Sequence, residues 1–334
     1  MEVAEAKAVQ SPKARIVDTA DVSIICVNWN SLAYLRECLT SIYQHTSGIR
    51  CEIIVVDNAS PEGGVDVLKA EFPEITIVKS DKNLGFAGAN NLGFRHSSGS
   101  YVLLLNPDTR LVGPAINILL ERMKSLPDAG IVGCKLLNTD LSVQTASVQK
   151  FPTLLNQLAN IEFLRMRWPG CPLWDISPLF RNSEVPVKVE VIPGACMLLK
   201  REVFERAGLF TEDYFMYAED IDLNYKVKHL GLSSYYVGAA QIVHHGGTSS
   251  SRQPVSHWSI LMKHRAMLKY YRKTGGPVYG VLYRITMGVS ALVHLMLLAA
   301  VLPFRDKEIV RSKSAKWNTV LRWSLGLEQP AINV

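Results

Sequence analysis

Four short apolar runs, Val22–Val27, Ile53–Val56, Ile75–Val78 and Tyr101–Leu105, each give way abruptly to polar residues, and helical segments separate them. No other feature limits the fold as tightly. Short, nearly continuous apolar runs are the mark of strands buried on both faces. Between the first two, Leu32, Leu35, Cys38, Leu39 and Ile42 recur at the spacing of one helix face. Residues 62–72, 86–96 and 115–125 read as further helices, and Ile131–Leu136 as a fifth strand. Such alternation predicts an α/β fold with a mostly parallel central sheet covered by helices. Open sheets of this kind bind ligands outside the carboxyl ends of their strands. Polar residues gather there: Asn28 and Asn30, Asp57, Asp81 and Asn83, Asn106 and Asp108.

Asp108 carries the most information. Pro107 stops the fourth run from continuing as a central strand. A carboxylate delivered at that point can hold a divalent cation, which in turn can hold a diphosphate. Asn106-Pro107-Asp108 is also ordinary turn chemistry, so the residue is weighed with its company. Asp57, at the end of the second run, can accept a base imide N–H or ribose hydroxyls, or can cap the next helix. The stretch Asn83–Gly93 is glycine-rich without the Lys of a phosphate-binding P-loop. Its glycines allow close backbone approach and a helix start that could face a phosphate, while tight helix–sheet packing explains Gly88 and Gly93 equally well. Glu219, Asp220 and Asp222 cluster at a predicted helix start beside Tyr214, Phe215 and Tyr217. The helix dipole accounts for one or two acids there. Three beside an aromatic wall suggest a general base with a raised pKa. His244 and His245 end a predicted strand, Tyr235–Val243, and offer a metal or phosphate ligand.

Six cysteines are scattered with no C-x-x-C pair, as in a reduced, cytosolic protein. Residues 1–20 are polar and read as a loose tail. Residues 138–190 hold five prolines, Trp168 and Trp174, and read either as a packing insertion or as an excursion over the site mouth. The net charge of +6 hides an asymmetry. Residues 252–334 carry 13 Lys+Arg against 3 Asp+Glu, leaving 23 against 27 for residues 1–251. The shift places a boundary near 250. Past it, residues 285–304 form an apolar stretch interrupted only by His294 and flanked by basic residues. Its length allows a membrane span. Basic flanks on both sides favour a helix lying in an anionic membrane surface, and a buried core helix is the soluble alternative. The basic excess does not interleave with a readout motif, so no nucleic-acid partner is expected.

Six motifs occur in a specific order: Val22–Ser31, Val55–Ser60, Asn83–Gly93, Leu104–Asp108, then Pro193–Leu198 with Gly208–Leu223, then His244–Ser249. Over about residues 21–250 the chain resembles the family 2 glycosyltransferases, most closely their rhamnosyltransferase-like branch. The resemblance implies a GT-A (Rossmann-like) domain at 21–250 and an inverting transfer from a nucleotide-diphosphate sugar, dTDP-rhamnose being the first choice. It implies Asp57, with Asn30, Asn83, Gly85, Asn106 and Asp222, for donor binding. It implies Asp108 and His244 for Mg²⁺ or Mn²⁺, with Asn106 standing where the family commonly has a first Asp. Asp220 would be the catalytic base, with Glu219 the runner-up. The acceptor would be a lipid-linked glycan for surface polysaccharide, met at the cytoplasmic face of the membrane through the helical segment 251–334. Two rivals remain at this level: a nucleotidyltransferase, which would need a basic glycine loop near Asn28–Ser31, and a non-catalytic nucleotide-sugar binder.

Overall fold

The first strand, β1 (Val22–Asn28), lies between β2 (Cys51–Asp57) and β4 (Tyr101–Leu105), parallel to both. The structure is a computed structural model that describes residues 20–159, 162–181, 185–246, 257–301 and 307–327. The expected N-terminal tail and most of the expected boundary near 250 lie outside the described residues. β3 (Thr76–Lys79) extends the parallel half beyond β2. The remaining strands are β5 (Thr109–Leu111), β6 (Ala129–Leu137), β7 (Val187–Val189), β8 (Cys196–Lys200) and β9 (Ser233–His244). The sheet order is β3-β2-β1-β4-β8-β6-β9-β5, with β7 also paired to β9. β8 runs antiparallel between β4 and β6, while β6 and β9 are parallel. The chain leaves β1 toward β2 and β3, then returns to the other side at β4. That reversal opens a crevice at the carboxyl ends, where ligands settle in such sheets.

The helices are α1 (Leu32–His45), α2 (Leu68–Glu71), α3 (Gly85–Arg95), α4 (Ala115–Ser125), α5 (Leu154–Leu158), α6 (Glu162–Arg167), α7 (Arg201–Arg206), α8 (Glu219–His229), α9 (His257–Val301) and α10 (Lys307–Ser324). The helix expected over 62–72 is shorter: Gly63 and Gly64 both take positive φ, and a 3₁₀ turn at Val65–Val67 leads into α2.

Both faces of the central strands β1, β2 and β4 are buried, as their unbroken apolar runs require, while β3 at the sheet edge is partly exposed. Ile24, Cys26, Ile53, Val55, Leu103 and Leu105 join one core with Leu35 and Leu39 of α1 and Leu119 of α4. Their neighbours Ile25, Ile54, Val56, Val102 and Leu104 join the opposite core with Phe94 of α3 and Phe204 of α7. Each such fully buried side chain contributes roughly 1.5–3 kcal/mol. The 138–190 region adds Val148, Trp174, Ile176 and Leu179 to this second core, so it is largely a packing insertion. A third core joins Tyr214, Ala218 and Ile221 to Ile260, Met267 and Tyr271 of α9, together with Tyr283, Met287, Val320 and Trp323. The C-terminal helices thus share a core with the acidic segment at the start of α8. α9 is broken at Gly276, which has φ 78°, with Pro277 next to it.

Candidate active site

The β1–β2 register sets Asn28 opposite Asp57, so both side chains emerge at one edge of the sheet. Asn28 donates to Asp57 Oδ1 at 2.9 Å, and Ser60 donates to the same oxygen at 2.6 Å. One carboxylate oxygen is thereby held rigidly at the crevice, and Asp57 is only 7% exposed. Asn30 takes φ 50° and accepts from the Glu62 amide, pinning the loop above. Asn58, a residue without a distinctive sequence signal, is buried and clamps the next turn: it donates to Asn83 Oδ1 and accepts from the Leu84 amide. Asn83 Oδ1 also receives the Gly85 amide at 2.9 Å, so Asn83 organises the turn.

Gly85 has a steric reason of its own. Its φ is +70°, and a Cβ there would sit 2.1 Å from the Phe215 carbonyl oxygen. That oxygen accepts from the Phe86 amide at 2.9 Å. The start of α3 is therefore occupied by the 214–218 loop, and Gly85 serves to seat this loop. Gly93 allows helix–sheet contact, since its Cβ would meet Ile25 at 2.5 Å. The seated loop ends with Tyr217 and Ala218 at φ 71° and 65°. Two consecutive non-glycine residues in that region store strain, which marks functional sites when the surroundings enforce it.

α8 starts immediately afterwards. Asp220 accepts from the Gly194 amide at 3.1 Å through one oxygen and from the Ile221 amide at 2.8 Å through the other. Burial raises its pKa, and those amide bonds only partly oppose the shift. Glu219 is 6% exposed and its Oε2 has no hydrogen-bond partner. Burial, then the adjacent Asp220, hold its carboxyl well above the usual range. Asp222 is completely buried and committed elsewhere: Thr211 donates to it at 2.6 Å and Lys273 of α9 lies 2.7 Å away. The structure thus gives Asp222 an anchoring place between α8 and α9. Asn224 ties α8 to the strand-side segment through the Ile192 amide and carbonyl.

The other half of the site is built by β5. This strand pairs antiparallel with β9 and sets Thr109 opposite His244, bringing Asp108 beside the histidine. His244 Nε2 lies 3.4 Å from Asp108 Oδ1 and 3.4 Å from Asn106 Nδ2. Gln144 defines the histidine tautomer. Its Nε2 donates to the His244 carbonyl at 2.5 Å, so its Oε1 is the atom 3.0 Å from Nδ1. An amide oxygen only accepts, so Nδ1 donates to it, and Nε2 is the ring atom turned toward Asp108 and the Asn106 amide. With Nε2 deprotonated, a cation would fit between that nitrogen and the Asp108 carboxylate. Among the described residues no three His, Cys, Asp or Glu side chains converge on such a point. Asp108 and His244 would then share the ion with diphosphate oxygens and water, a usual arrangement for Mg²⁺. His245 turns away to Glu37, 3.4 Å distant, and packs on Tyr34.

Gly194 and Ala195 bridge the two halves. Asp220 holds the Gly194 amide, and the Asn106 amide donates to the Ala195 carbonyl at 3.0 Å. A side chain at Gly194 would press on the Phe86 ring at 3.1 Å. A hollow of about 250 Å³ under the 138–190 region, lined by Val148, Asp175, Lys188 and Glu190, contains none of these residues.

The family profile described as Glycosyl transferase family 2 matches residues 23–208. The chain is 26% identical over 300 residues to an N-acetylglucosaminyl-diphospho-decaprenol L-rhamnosyltransferase of Mycobacterium tuberculosis, covering 86% of this chain and 96% of that protein. It is 27% identical over 168 residues to rhamnosyltransferase WbbL of Escherichia coli, covering 48% of this chain and 61% of that one. Among solved structures it resembles the mannosyltransferase PcManGT from Pyrobaculum calidifontis, crystallised with GDP-Man and Mn²⁺. The TM-score is 0.55 at 16% identity, over 92% of this chain and 87% of that chain. This likeness concerns the fold, which is GT-A.

Proposed function

The chain belongs to glycosyl transferase family 2, and from that premise we propose that it transfers a deoxyhexose, rhamnose as first choice, from a nucleoside diphosphate to a lipid-linked glycan. One observation carries the reading: Asp57, the Asp108–His244 pair and Asp220 stand along one sheet edge, with Asp220 linked through Gly194 and Ala195 to Asn106 beside the pair. Asp57 holds the donor's base or ribose. Asp108 and His244 hold the divalent ion, Mg²⁺ or Mn²⁺, which when bound offsets charge on the departing diphosphate.

Asp220 acts as general base. Its site suits the task because burial raises its pKa while two amides keep the carboxylate aimed. The acceptor hydroxyl oxygen attacks the anomeric carbon as its proton passes to Asp220. The bond from that carbon to the diphosphate oxygen breaks, and the nucleoside diphosphate leaves. One displacement inverts the anomeric centre. The Mycobacterium tuberculosis relative is named for a decaprenol-linked acceptor. An acceptor of that class, together with the apolar C-terminal helix, supports work at the cytoplasmic face of a membrane.

A donor screen tests this reading. Nucleoside diphosphates and their sugars, each with Mn²⁺, should raise the melting temperature selectively, since a ligand binding only the folded state stabilises it by mass action. The preferred sugar should then appear on a polyprenyl-diphosphate glycan with inverted anomeric configuration by NMR. Retention of configuration, or binding without turnover, would contradict the assignment.

A further inference from the structure

After Gly276, α9 presents two opposite faces. One packs on α10: His294 stacks on Trp317 at 3.8 Å, Arg284 donates to the Trp323 carbonyl, and Gly288 sits against Ser324. These pairs run in opposite senses along the two helices, so α10 returns beside α9 as an antiparallel hairpin. The other face carries Val281, Ile285, Val289, Leu292 and Met296, all between 48% and 64% exposed. Their spacing of three and four residues makes one continuous apolar stripe. Only 22% of the apolar window is buried in the protein. α10 exposes Arg311, Lys313, Lys316 and Arg322.

We infer that this hairpin docks onto an anionic bilayer as a monotopic anchor, with the α9 stripe sunk into the headgroup–acyl boundary and α10 on the water side. A spanning arrangement would carry the four α10 cations into hydrocarbon, each at roughly a hundredfold cost in partition. A helix lying in the interface buries the stripe and leaves those cations in water within the field of an anionic surface, the partner that the +10 balance of residues 252–334 complements. The inference rests on the membrane side of the reading above and deepens it. The docked helix is linked, through the first part of α9 and the third core, to the loop that leads into α8 and Asp220. Trp258 meets Phe215 of that loop edge-on, and Lys269 reaches the Asp213 carbonyl. Anchoring thereby fixes the general base relative to the membrane surface.

The full-length protein should co-sediment with vesicles of 30% phosphatidylglycerol in phosphatidylcholine far more than with pure phosphatidylcholine, and 0.5 M NaCl should weaken binding. The double variant I285E/L292E changes only exposed positions. It should lose at least about tenfold in partition while its melting curve by circular dichroism stays unchanged. K313E/K316E should reduce binding to the anionic vesicles specifically. A bimane label on V289C should be quenched more by shallow than by deep spin-labelled lipid, and one on S312C by neither. Failure to sediment, deeper quenching at V289C with quenching at S312C, or a dimer that I285E/L292E splits without any vesicle binding would each overturn the inference. The vesicles contain neither donor nor acceptor, so a protein that docks but transfers no sugar would overturn the catalytic reading alone.

Discussion

At His244, chemistry depends on a neighbour that contributes no ligand. Gln144 accepts from Nδ1 and so turns Nε2 toward Asp108. Partners of this kind are worth about 10–100-fold in metal affinity. Gln144→Leu should therefore weaken Mn²⁺ binding by that order, read from Mn²⁺ paramagnetic resonance, with Asp108→Ala and His244→Ala more severe. His245→Ala should be near neutral, because that ring faces Glu37. Glu219 is a second residue-scale case. Its raised pKa means that the folded state holds a proton which the unfolded chain releases. Stability from the buried acid is then complete below the ordinary carboxylate pKa and is lost as pH rises toward the folded value. Glu219→Gln removes that loss. It should raise the melting temperature more at pH 8 than at pH 5, and an equal gain at both would contradict the burial argument.

Among the elements, the 214–218 loop and the short strand β5 set the site's geometry. The loop is seated by Gly85, where any side chain meets both a positive φ and the Phe215 carbonyl. Gly85→Ala should cost at least about 1–3 kcal/mol and lower kcat more than it weakens nucleotide binding, since Asp57 lies on a separate strand. Limited proteolysis near Phe215 would report the released loop. β1, β2, β4 and β6 were legible because doubly buried strands leave unbroken apolar runs, and β3, a partly exposed edge strand, was legible from the short run Ile75–Val78. β5 and β7 were not: three residues such as Thr109-Arg110-Leu111 hold no period, and β9 alone recruits them. The antiparallel entry of β8 was equally silent, since a buried strand's pattern does not encode its direction. Asp57, Asp108 and Asp220 were legible as acids ending apolar runs or opening a helix. Gln144 gave no such signal, because it matters only through a partner about 100 positions away, and Gly194 was visible only as part of the Pro193–Leu198 motif, its role being set by a partner 26 positions away.

Across the whole molecule, the sheet supplies the proposed donor site at its edge, and the C-terminal helices pack against the 214–218 loop. The Asp222–Lys273 pair, 2.7 Å apart, is one rivet of that assembly. Asp222 is fully buried while Lys273 is 41% exposed, so Lys273→Met should cost toward the lower end of the roughly 3–5 kcal/mol seen when a buried pair is broken. Chemical denaturation measures it, and a loss below about 1 kcal/mol would reduce the contact to a surface pair. The shared core also makes removal of everything after Gly276 a poor probe, since it would uncover Tyr271 and His264. Sugar transfer at this edge is proposed to depend on Asp220 as base. Its most direct test is single-turnover transfer by Asp220→Asn beside calorimetric donor binding by the same protein. The predicted result is a rate loss on the order of 10²–10⁴ with donor affinity within a few-fold of the parent. A collapse of donor binding with transfer per bound donor preserved would contradict it.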